Sequence, residues 1–509
     1  MTLRKVNWPP LELLPGDAPA AKIRARDPDY AGFACYFRIF ALSNGNTRFY
    51  TPNMIAAPGN RVRFHNASGS NCPAAESQNR MTPASPQLTA GFDAVRADLA
   101  AVLNDLQRLL ACDTSFPPGD GYGVFADLLQ PDLQALGFEC HRIDVPEALW
   151  AAPGAWGPRT NLLARRPGGK PVCSMYFHVD TVPPGDGWTV DPLACTQIGR
   201  QVFGRGAADM KGCIAAVMCA LRAAAACGLE LAYDPALLLC TDEEGGLYPG
   251  IRFLAEQKLI EGHLLSFNGN AAPRIWAGCF GSMDLRVSIL GRSAHSGEAG
   301  GDGVNAIEAA VPVLGGLMAL KRLVERRSST MPAAPCLGGV PLTARLNVTA
   351  AHGGDKGSSV PGRFELLINR RYLPEENADT VRAELEQCIG EALADTAALG
   401  HEITLMGHLA PVDDPTGPHW PRWQQAVSLG FGFPPDNFRR WGASSSSDMG
   451  WVQRAGIHEI LLGGLGRPDR RIHAADEFTT LDDIQALACS VLAYLAADFA
   501  APLIPEMSA

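Results

Sequence analysis

The segment FHVD ends an apolar run at residues 171–180 and places His178 and Asp180 two positions apart. Side chains two apart on a strand point to the same face, so both would project from the carboxyl end of the strand. Ligands collect at that end in open α/β sheets, and a neutral imidazole beside a carboxylate is a common metal ligand. The pair therefore indicates a metal site, although a surface His–Asp pair has the same spacing.

Further acidic groups follow at comparable positions. Asp209 lies in the glycine-flanked segment GRGAADMKG just before a helical pattern, where it is either a ligand or an acid favoured by the helix N-terminus. Asp242, Glu243 and Glu244 come directly after the apolar run ALLLCT. Three adjacent carboxylates repel one another unless a cation or water satisfies them. These acids favour a cation at the same edge of the sheet.

A second histidine, His473, lies in RRIHAADEF after the apolar run HEILLGG. Taken alone, a loop histidine is more often exposed than a ligand. Together with His178, Asp209 and Glu244 it gives imidazole and carboxylate donors from loops of one sheet edge, which is a zinc-type donor set. The serine run at 444–447 offers a competing serine-hydrolase interpretation, which the lack of a G-x-S-x-G elbow disfavours.

The elements that must position these residues alternate between strand and helix. From about residue 91, short apolar runs alternate with helical patterns, and this order predicts a mostly parallel sheet covered on both faces. Residues 282–410 follow a different order, βαββαβ, which is that of a ferredoxin-like split unit. The parallel-sheet pattern then resumes. The sequence therefore predicts an α/β fold with an inserted α+β domain.

Four segments follow from this pattern. The α/β domain is expected at residues 89–281 and 411–509, with the inserted domain at 282–410 between them. Residues 1–88 form an additional N-terminal segment with short strand-like pieces and a polar, proline-containing end that we interpret as a linker. The role of this segment stays open.

Composition excludes several classes of protein. The chain of 509 residues is 47% apolar and 19% charged, which is typical of a globular protein with a full core. Its net charge of −10 argues against a nucleic-acid partner. The N-terminal sequence lacks a signal-peptide pattern, and no apolar stretch reaches the roughly 20 residues that span a bilayer. The 14 cysteines are scattered without a C-x-x-C pair, so we expect a cytoplasmic protein without a membrane partner.

The sequence resembles the zinc aminoacylase and carboxypeptidase superfamily, which includes acetylornithine deacetylase, succinyl-diaminopimelate desuccinylase and the glutamate carboxypeptidases. The resemblance covers residues 92–495. It implies an α/β catalytic domain with a di-zinc centre and an inserted lid domain through which the family usually dimerises. The segments that carry it, in family order, are HVDTVP, GWTVDP, GRGAADMKG, TDEEGG, GRSAHSG, DGVNAI, GGDKGSSVPG, INRRYLPEE and HAADEF.

Position by position, the resemblance implies a role for each residue of the centre. His178 would bind the first metal ion, and Asp209 would bridge the two ions. Glu244 and His473 would complete the second site. Glu243 would be the general base that acts on the attacking water.

Residues around the centre also receive roles from the resemblance. Asp180 would orient the first-site histidine. His295, in GRSAHSG, would stabilise the oxyanion, often from the partner subunit. Arg371 and Asn305 match positions that in relatives bind the carboxylate of the substrate or lie near it.

The sequence departs from the family at the first metal site. Relatives carry a further carboxylate ligand some way after the paired glutamates, whereas no acid lies between Glu261 and Asp284 here. The nearest candidates are Asn268 and Asn270, whose amide oxygens can ligate but carry no charge. The first site is therefore expected to bind zinc more weakly, or the enzyme works with one tightly held ion.

These implications predict a metal-dependent hydrolase that cleaves the amide bond of an N-acyl amino acid or a small peptide. The expected cofactor is zinc, as one or two ions, with cobalt or manganese as substitutes. The expected assembly is a homodimer through the lid domain. The alternative is a diverged family member whose incomplete first metal site supports a non-hydrolytic reaction or binding alone.

Overall fold

The computed structural model describes residues 85–152, 154–297 and 302–499, all of which belong to one compact unit. The strand-like pieces and the linker predicted within residues 1–88 lie outside the described residues, except that the first helix begins at Pro86. The boundaries predicted at 282 and 410 stay a prediction.

The described residues form ten helices and eighteen strands. The helices are α1 Pro86–Ala97, α2 Leu99–Ala111, α3 Tyr122–Ala135, α4 Lys211–Ala226, α5 Pro249–Glu256, α6 Ala306–Val324, α7 Ala378–Leu393, α8 Trp420–Phe431, α9 Met449–Arg454 and α10 Leu481–Leu495. The strands are β1 Glu139–Asp144, β2 Thr160–Arg165, β3 Val172–His178, β4 Thr196–Ile198, β5 Gln201–Phe203, β6 Asp234–Cys240, β7 His263–Ser266, β8 Arg274–Cys279, β9 Gly281–Leu290, β10 Ala294–His295, β11 Arg345–Gly353, β12 Ser359–Val360, β13 Arg363–Tyr372, β14 Gly400–Leu409, β15 Val412–Asp413, β16 Arg439–Ala443, β17 Ile460–Leu462 and β18 Phe478–Thr480.

The larger sheet has six strands in the order β1-β2-β6-β3-β7-β17, and the pairs among β6, β3, β7 and β17 are parallel. The central strands are almost wholly buried because helices cover the sheet, as their continuous apolar sequences predict. His178, the last residue of β3, pairs with Cys240, the last residue of β6. This register brings the segments after both strands to one edge of the sheet.

The helical pattern near the start of the domain differs from its prediction. The apolar spacing over residues 92–112 suggests one helix, whereas the structure has two, α1 and α2, which meet at Asp98. The carboxylate of Asp98 accepts a hydrogen bond from Arg222 of α4. This tertiary contact, which local periodicity does not report, lies at the break.

The second sheet has four antiparallel strands in the order β11-β13-β9-β14. With α6 and α7 packed on one face, this is the βαββαβ arrangement that the sequence predicts, and it has its own apolar core. The fold class, a mixed and mostly parallel α/β sheet with a separate antiparallel-sheet domain, is confirmed. Across the described segments, no helix combines the length and apolar composition needed to cross a bilayer.

Candidate metal centre

The centre starts from His178, which is buried at the end of β3. Its Nε2 atom lies 3.1 Å from Oδ1 of Asp209, in the loop before α4. Its Nδ1 atom lies 3.1 Å from the backbone oxygen of Asp180 and 3.7 Å from Oδ1 of the same residue. The ring is therefore fixed on its Nδ1 side by residue 180 and presents Nε2 to the acids.

Glu244 and His473 close the group from two other loops. Nε2 of His473 lies 3.0 Å from Oε2 of Glu244 and 3.5 Å from Oδ2 of Asp209. One ligand atom each from His178, Asp209 and Glu244 lies within 4.8 Å of the others. Four residues that are far apart in the sequence thus converge at one edge of the six-stranded sheet.

Asp180 links the first histidine to the acidic loop, which is defined here as residues 242–244. Its buried Oδ2 atom accepts a hydrogen bond of 2.8 Å from the backbone N–H of Glu244. Its Oδ1 atom is buried without a hydrogen-bond partner among the described residues. Because an unpaired buried carboxylate oxygen is costly, this atom fits a place beside a positive charge.

The two asparagines proposed for the first site lie in different surroundings. Nδ2 of Asn268 donates a hydrogen bond of 2.8 Å to Oε1 of Glu243. Asn270 is exposed, its backbone pairs with that of Gly466, and its Oδ1 atom lies against that glycine. The structure therefore places the amide N–H₂ of Asn268 against the expected base, whereas the side chain of Asn270 lies against Gly466.

The electrostatics of the centre suit a bound cation. Burial raises the pKa of Glu243 well above its ordinary value, and burial likewise raises the pKa of Glu244. Hydrogen bonds to Asp209 and then Glu244 raise the pKa of His473 to about 10. Although burial opposes the shift, the hydrogen bond and charge of Asp209 raise the pKa of His178 well above its usual range. The two glutamates are hard to ionise and the two histidines are hard to deprotonate, so this donor set fits a divalent, zinc-type cation.

Glu477 is a residue of the centre that the sequence reasoning missed. Its buried carboxylate accepts hydrogen bonds from the backbone N–H groups of Ala208 and Asp209 at 3.0 and 3.1 Å through Oε1. Its Oε2 atom pairs with Arg205 at 2.6 Å, and both side chains are almost fully buried. Glu477 thus ties the loop of His473 to the loop of Asp209. Its position in HAADEF was the available signal.

A second acid, to which the sequence assigned no role, is Asp448, which follows the serine run. It is buried and accepts a hydrogen bond from the hydroxyl of Tyr176 on β3. Burial raises the pKa of Asp448 to about 6. After burial, the charge of Asp448 is one of the causes that raise the pKa of Glu243, the expected base.

The residues expected to meet the substrate lie on the four-stranded-sheet domain. His295 is exposed on β10, outside the metal group, and its Nδ1 atom accepts a hydrogen bond from the backbone of Gly297. Nη1 of Arg371 donates to Oγ of Ser446 at 2.7 Å, which joins β13 to the serine run. Asn305 caps α6, where its Oδ1 atom accepts from two backbone N–H groups.

The sequence of this chain is similar to those of known proteins. Residues 277–397 match a family described as the peptidase dimerisation domain of M20 proteins. The succinyl-diaminopimelate desuccinylase of Xanthomonas campestris pv. campestris (strain 8004) is 28% identical over 395 residues, which are 74% of this chain and 95% of that protein. The match therefore spans most of both chains.

Solved structures share the fold. Human carnosine dipeptidase 1 superposes with a TM-score of 0.59 at 18% identity, over 80% of this chain and 99% of that one. A protein of Bacillus subtilis described as a dinuclear metal-binding peptidase of the M20 family superposes with a TM-score of 0.54 at 15% identity, over 78% of this chain and 97% of that one. At these identities the likeness concerns the fold alone.

Proposed function

We propose, from the premise that this chain carries the M20 peptidase dimerisation domain and is a distant homologue of succinyl-diaminopimelate desuccinylases, that it is a metal-dependent amide hydrolase. Its substrate is an N-acyl amino acid or a small peptide. The observation that carries the proposal is the convergence of His178, Asp209 and Glu244, with His473 beside them and Glu243 in the same loop.

Zinc is the cofactor that this donor set favours, with cobalt or manganese as substitutes. His178 and Asp209 would hold a first ion, while Asp209, Glu244 and His473 would hold a second. The amide of Asn268 faces the expected base, so the first position has one charged donor fewer than the second. We therefore propose that one ion is held tightly and that any further ion is held weakly.

A divalent cation bound there supplies polarisation of the substrate carbonyl and a lowered pKa for the attacking water. Glu243 is suited to accept the proton of that water, because its own pKa is raised by burial. It then passes the proton to the leaving amine. Asn268 holds one oxygen of this carboxylate, and Asp180 keeps the ring of His178 in place.

Substrate binding is assigned to the four-stranded-sheet domain. The guanidinium of Arg371 pairs with a neutral serine, so its charge is available to a substrate carboxylate. His295 would donate to the developing oxyanion from the partner subunit, which agrees with its exposure on β10. Asn305 would act indirectly, by fixing the start of α6.

A homodimer through this domain agrees with the outer face of α6. Ile307, Val311 and Met318 recur at helical spacing on that face and are exposed, with Val311 63% exposed. Exposed apolar side chains at this spacing favour a surface that binds protein. A second copy of the chain is the partner that the dimerisation domain suggests.

The test combines metal content with hydrolysis. Zinc per chain is measured in the purified protein, and hydrolysis is followed on a panel of N-acetyl and N-succinyl amino acids and dipeptides. We expect zinc-dependent hydrolysis, abolished by chelation and restored by zinc. Replacement of the base, Glu243→Gln, should lower kcat by about 10²-fold to 10⁴-fold with the bound zinc retained.

The matched control is Glu256→Gln, because Glu256 is an exposed acid of the nearby helix α5 that pairs with Arg252. It should hydrolyse like the unaltered protein. Silence of the zinc-loaded protein on the whole panel, with Glu243→Ala indistinguishable from it, would reject the hydrolase and favour a binding protein.

A further inference from the structure

Asp242, the first of the three adjacent acids, does not belong to the metal group. Its side chain is almost fully buried and both oxygens are bound: Oδ1 accepts from the hydroxyl of Tyr122 at 2.5 Å, and Oδ2 accepts from Nε of Arg159 at 2.8 Å. Its backbone has φ of +52°, in the left-handed region. A non-glycine residue stays in that region when its surroundings hold it there.

Arg159 binds three segments at once. Besides Asp242, its guanidinium donates to the backbone oxygens of Trp156 and Gly157 at 2.7 and 2.9 Å, and to that of Pro118 at 2.9 Å. The group is fully buried and lies 4.4 Å from the centre of the Trp150 ring. This cation thus joins the loops at 113–121 and 154–158 to the acidic loop.

The segment that follows the acidic loop is also held in place, by the ring of Phe116. A Cβ atom added to Gly245 or Gly246 would lie 2.9 or 2.8 Å from ring atoms of Phe116, so that ring rests directly on the two glycines. At the near end, the backbone N–H of Thr241 donates to Oδ1 of Asn161 at 3.0 Å. Glu243 and Glu244 therefore branch from a short segment that is held on both sides.

We infer that Arg159 and Tyr122, acting through Asp242, are positioning residues for Glu243 and Glu244. This inference rests on the proposed function for the role of Glu243 as base. With its two oxygens fixed by Tyr122 and Arg159, Asp242 keeps the left-handed backbone from which Glu244 reaches the metal group. Arg159 and Tyr122 are buried side chains that meet this loop through Asp242.

The mildest test is Tyr122→Phe, which removes one hydrogen bond to Asp242 and keeps the buried ring. The matched control is Tyr494→Phe, because the hydroxyl of Tyr494 is also buried and bonds to Nε2 of His263 at 2.5 Å, at the opposite end of the sheet. Each variant is assayed for kcat, KM, zinc affinity by chelator competition, and thermal stability.

Positioning predicts that Tyr122→Phe weakens zinc binding by about 10-fold to 100-fold, as for other groups that support a metal ligand. It should also lower kcat with KM little changed, whereas Tyr494→Phe should alter thermal stability alone. Equal behaviour of the two variants, with zinc affinity and kcat intact in both, would overturn the inference.

Asp242→Gly is the second and stronger variant. Glycine adopts a positive φ without steric cost, so the backbone conformation stays accessible while both side-chain hydrogen bonds are removed. Because the buried guanidinium of Arg159 loses its counter-charge, this variant should also be less stable. It too should lose zinc affinity and kcat, and normal values for both would overturn the inference. Zinc affinity needs no substrate, so the inference can succeed or fail even where hydrolysis is not found.

Discussion

The ion pair between Arg205 and Glu477 gives the most direct test of how the centre is held. Replacing Glu477 by Gln keeps the size of the side chain and removes its charge. The side chains of Glu477 and Arg205 are only 1% and 2% exposed, so the guanidinium would be left buried without a counter-charge. Breaking a buried pair in this way costs about 3 to 5 kcal/mol.

The lower end of that range applies here, because the amide oxygen of glutamine can still accept from the backbone of Ala208 or Asp209. We therefore expect a loss of about 3 kcal/mol, which is roughly a hundredfold in the folding equilibrium constant. The assay is urea unfolding of the chelated protein, followed by fluorescence, and the altered protein should unfold at clearly lower urea.

The control is Glu365→Gln, since Glu365 pairs with Arg363 on β13, where both side chains are at least one third exposed (34% and 54%). An exposed pair contributes little, so this change should leave the urea midpoint nearly unmoved. If Glu477→Gln and Glu365→Gln unfold at the same urea concentration, the reasoning from burial is refuted.

Three further outcomes are expected. Asn268→Asp adds a carboxylate at the centre, so the zinc content per chain, measured by elemental analysis, should rise towards two. The control, Asn270→Asp at an exposed position, should leave the zinc content unchanged. An unchanged zinc content in both variants would contradict the placement of Asn268 at the first metal site. In protein freed of metal, the raised pKa of His473 contributes stability that is complete below the ordinary pKa of histidine and is lost as pH rises through about 10. Unfolding in the presence of chelator should therefore become easier at alkaline pH. This pH dependence should vanish in His473→Gln. Arg371→Ala should raise KM for substrates with a free carboxylate by about 10-fold to 100-fold and leave amide-capped substrates unaffected, and an equal effect on both would argue against carboxylate binding.

The sequence predicted the parts of this molecule that depend on local pattern. The apolar runs of β3 and β6 correctly indicated two strands with His178 and the acids at their carboxyl ends. The order of elements likewise predicted the antiparallel inserted domain. These features repeat at short spacing, so a single strand or helix is enough to report them.

Side-chain contacts between residues that are far apart in the sequence could not be predicted from local pattern. From the sequence, Asp242 was interpreted with its two neighbours as one acidic cluster. In the structure it pairs instead with Arg159, which lies 83 residues earlier in the chain. The orientation of the Asn268 amide depends on Glu243, 25 residues earlier. Glu477 acts on backbone groups 268 residues away. No local periodicity encodes such contacts, because each depends on how loops from separate strands meet.

The tie between Glu477 and the loop of Asp209 has a consequence for biosynthesis. A ribosome releases the amino-terminal part of a chain first, and domains fold as units when they are complete. Here the loop of Asp209 gains its carboxylate support, and the centre gains His473, only after the inserted domain and nearly all of the last segment have emerged. A prematurely terminated chain would therefore contain the acids without the histidine and the supporting carboxylate that complete the centre. We therefore expect only the complete polypeptide to bind the metal ion.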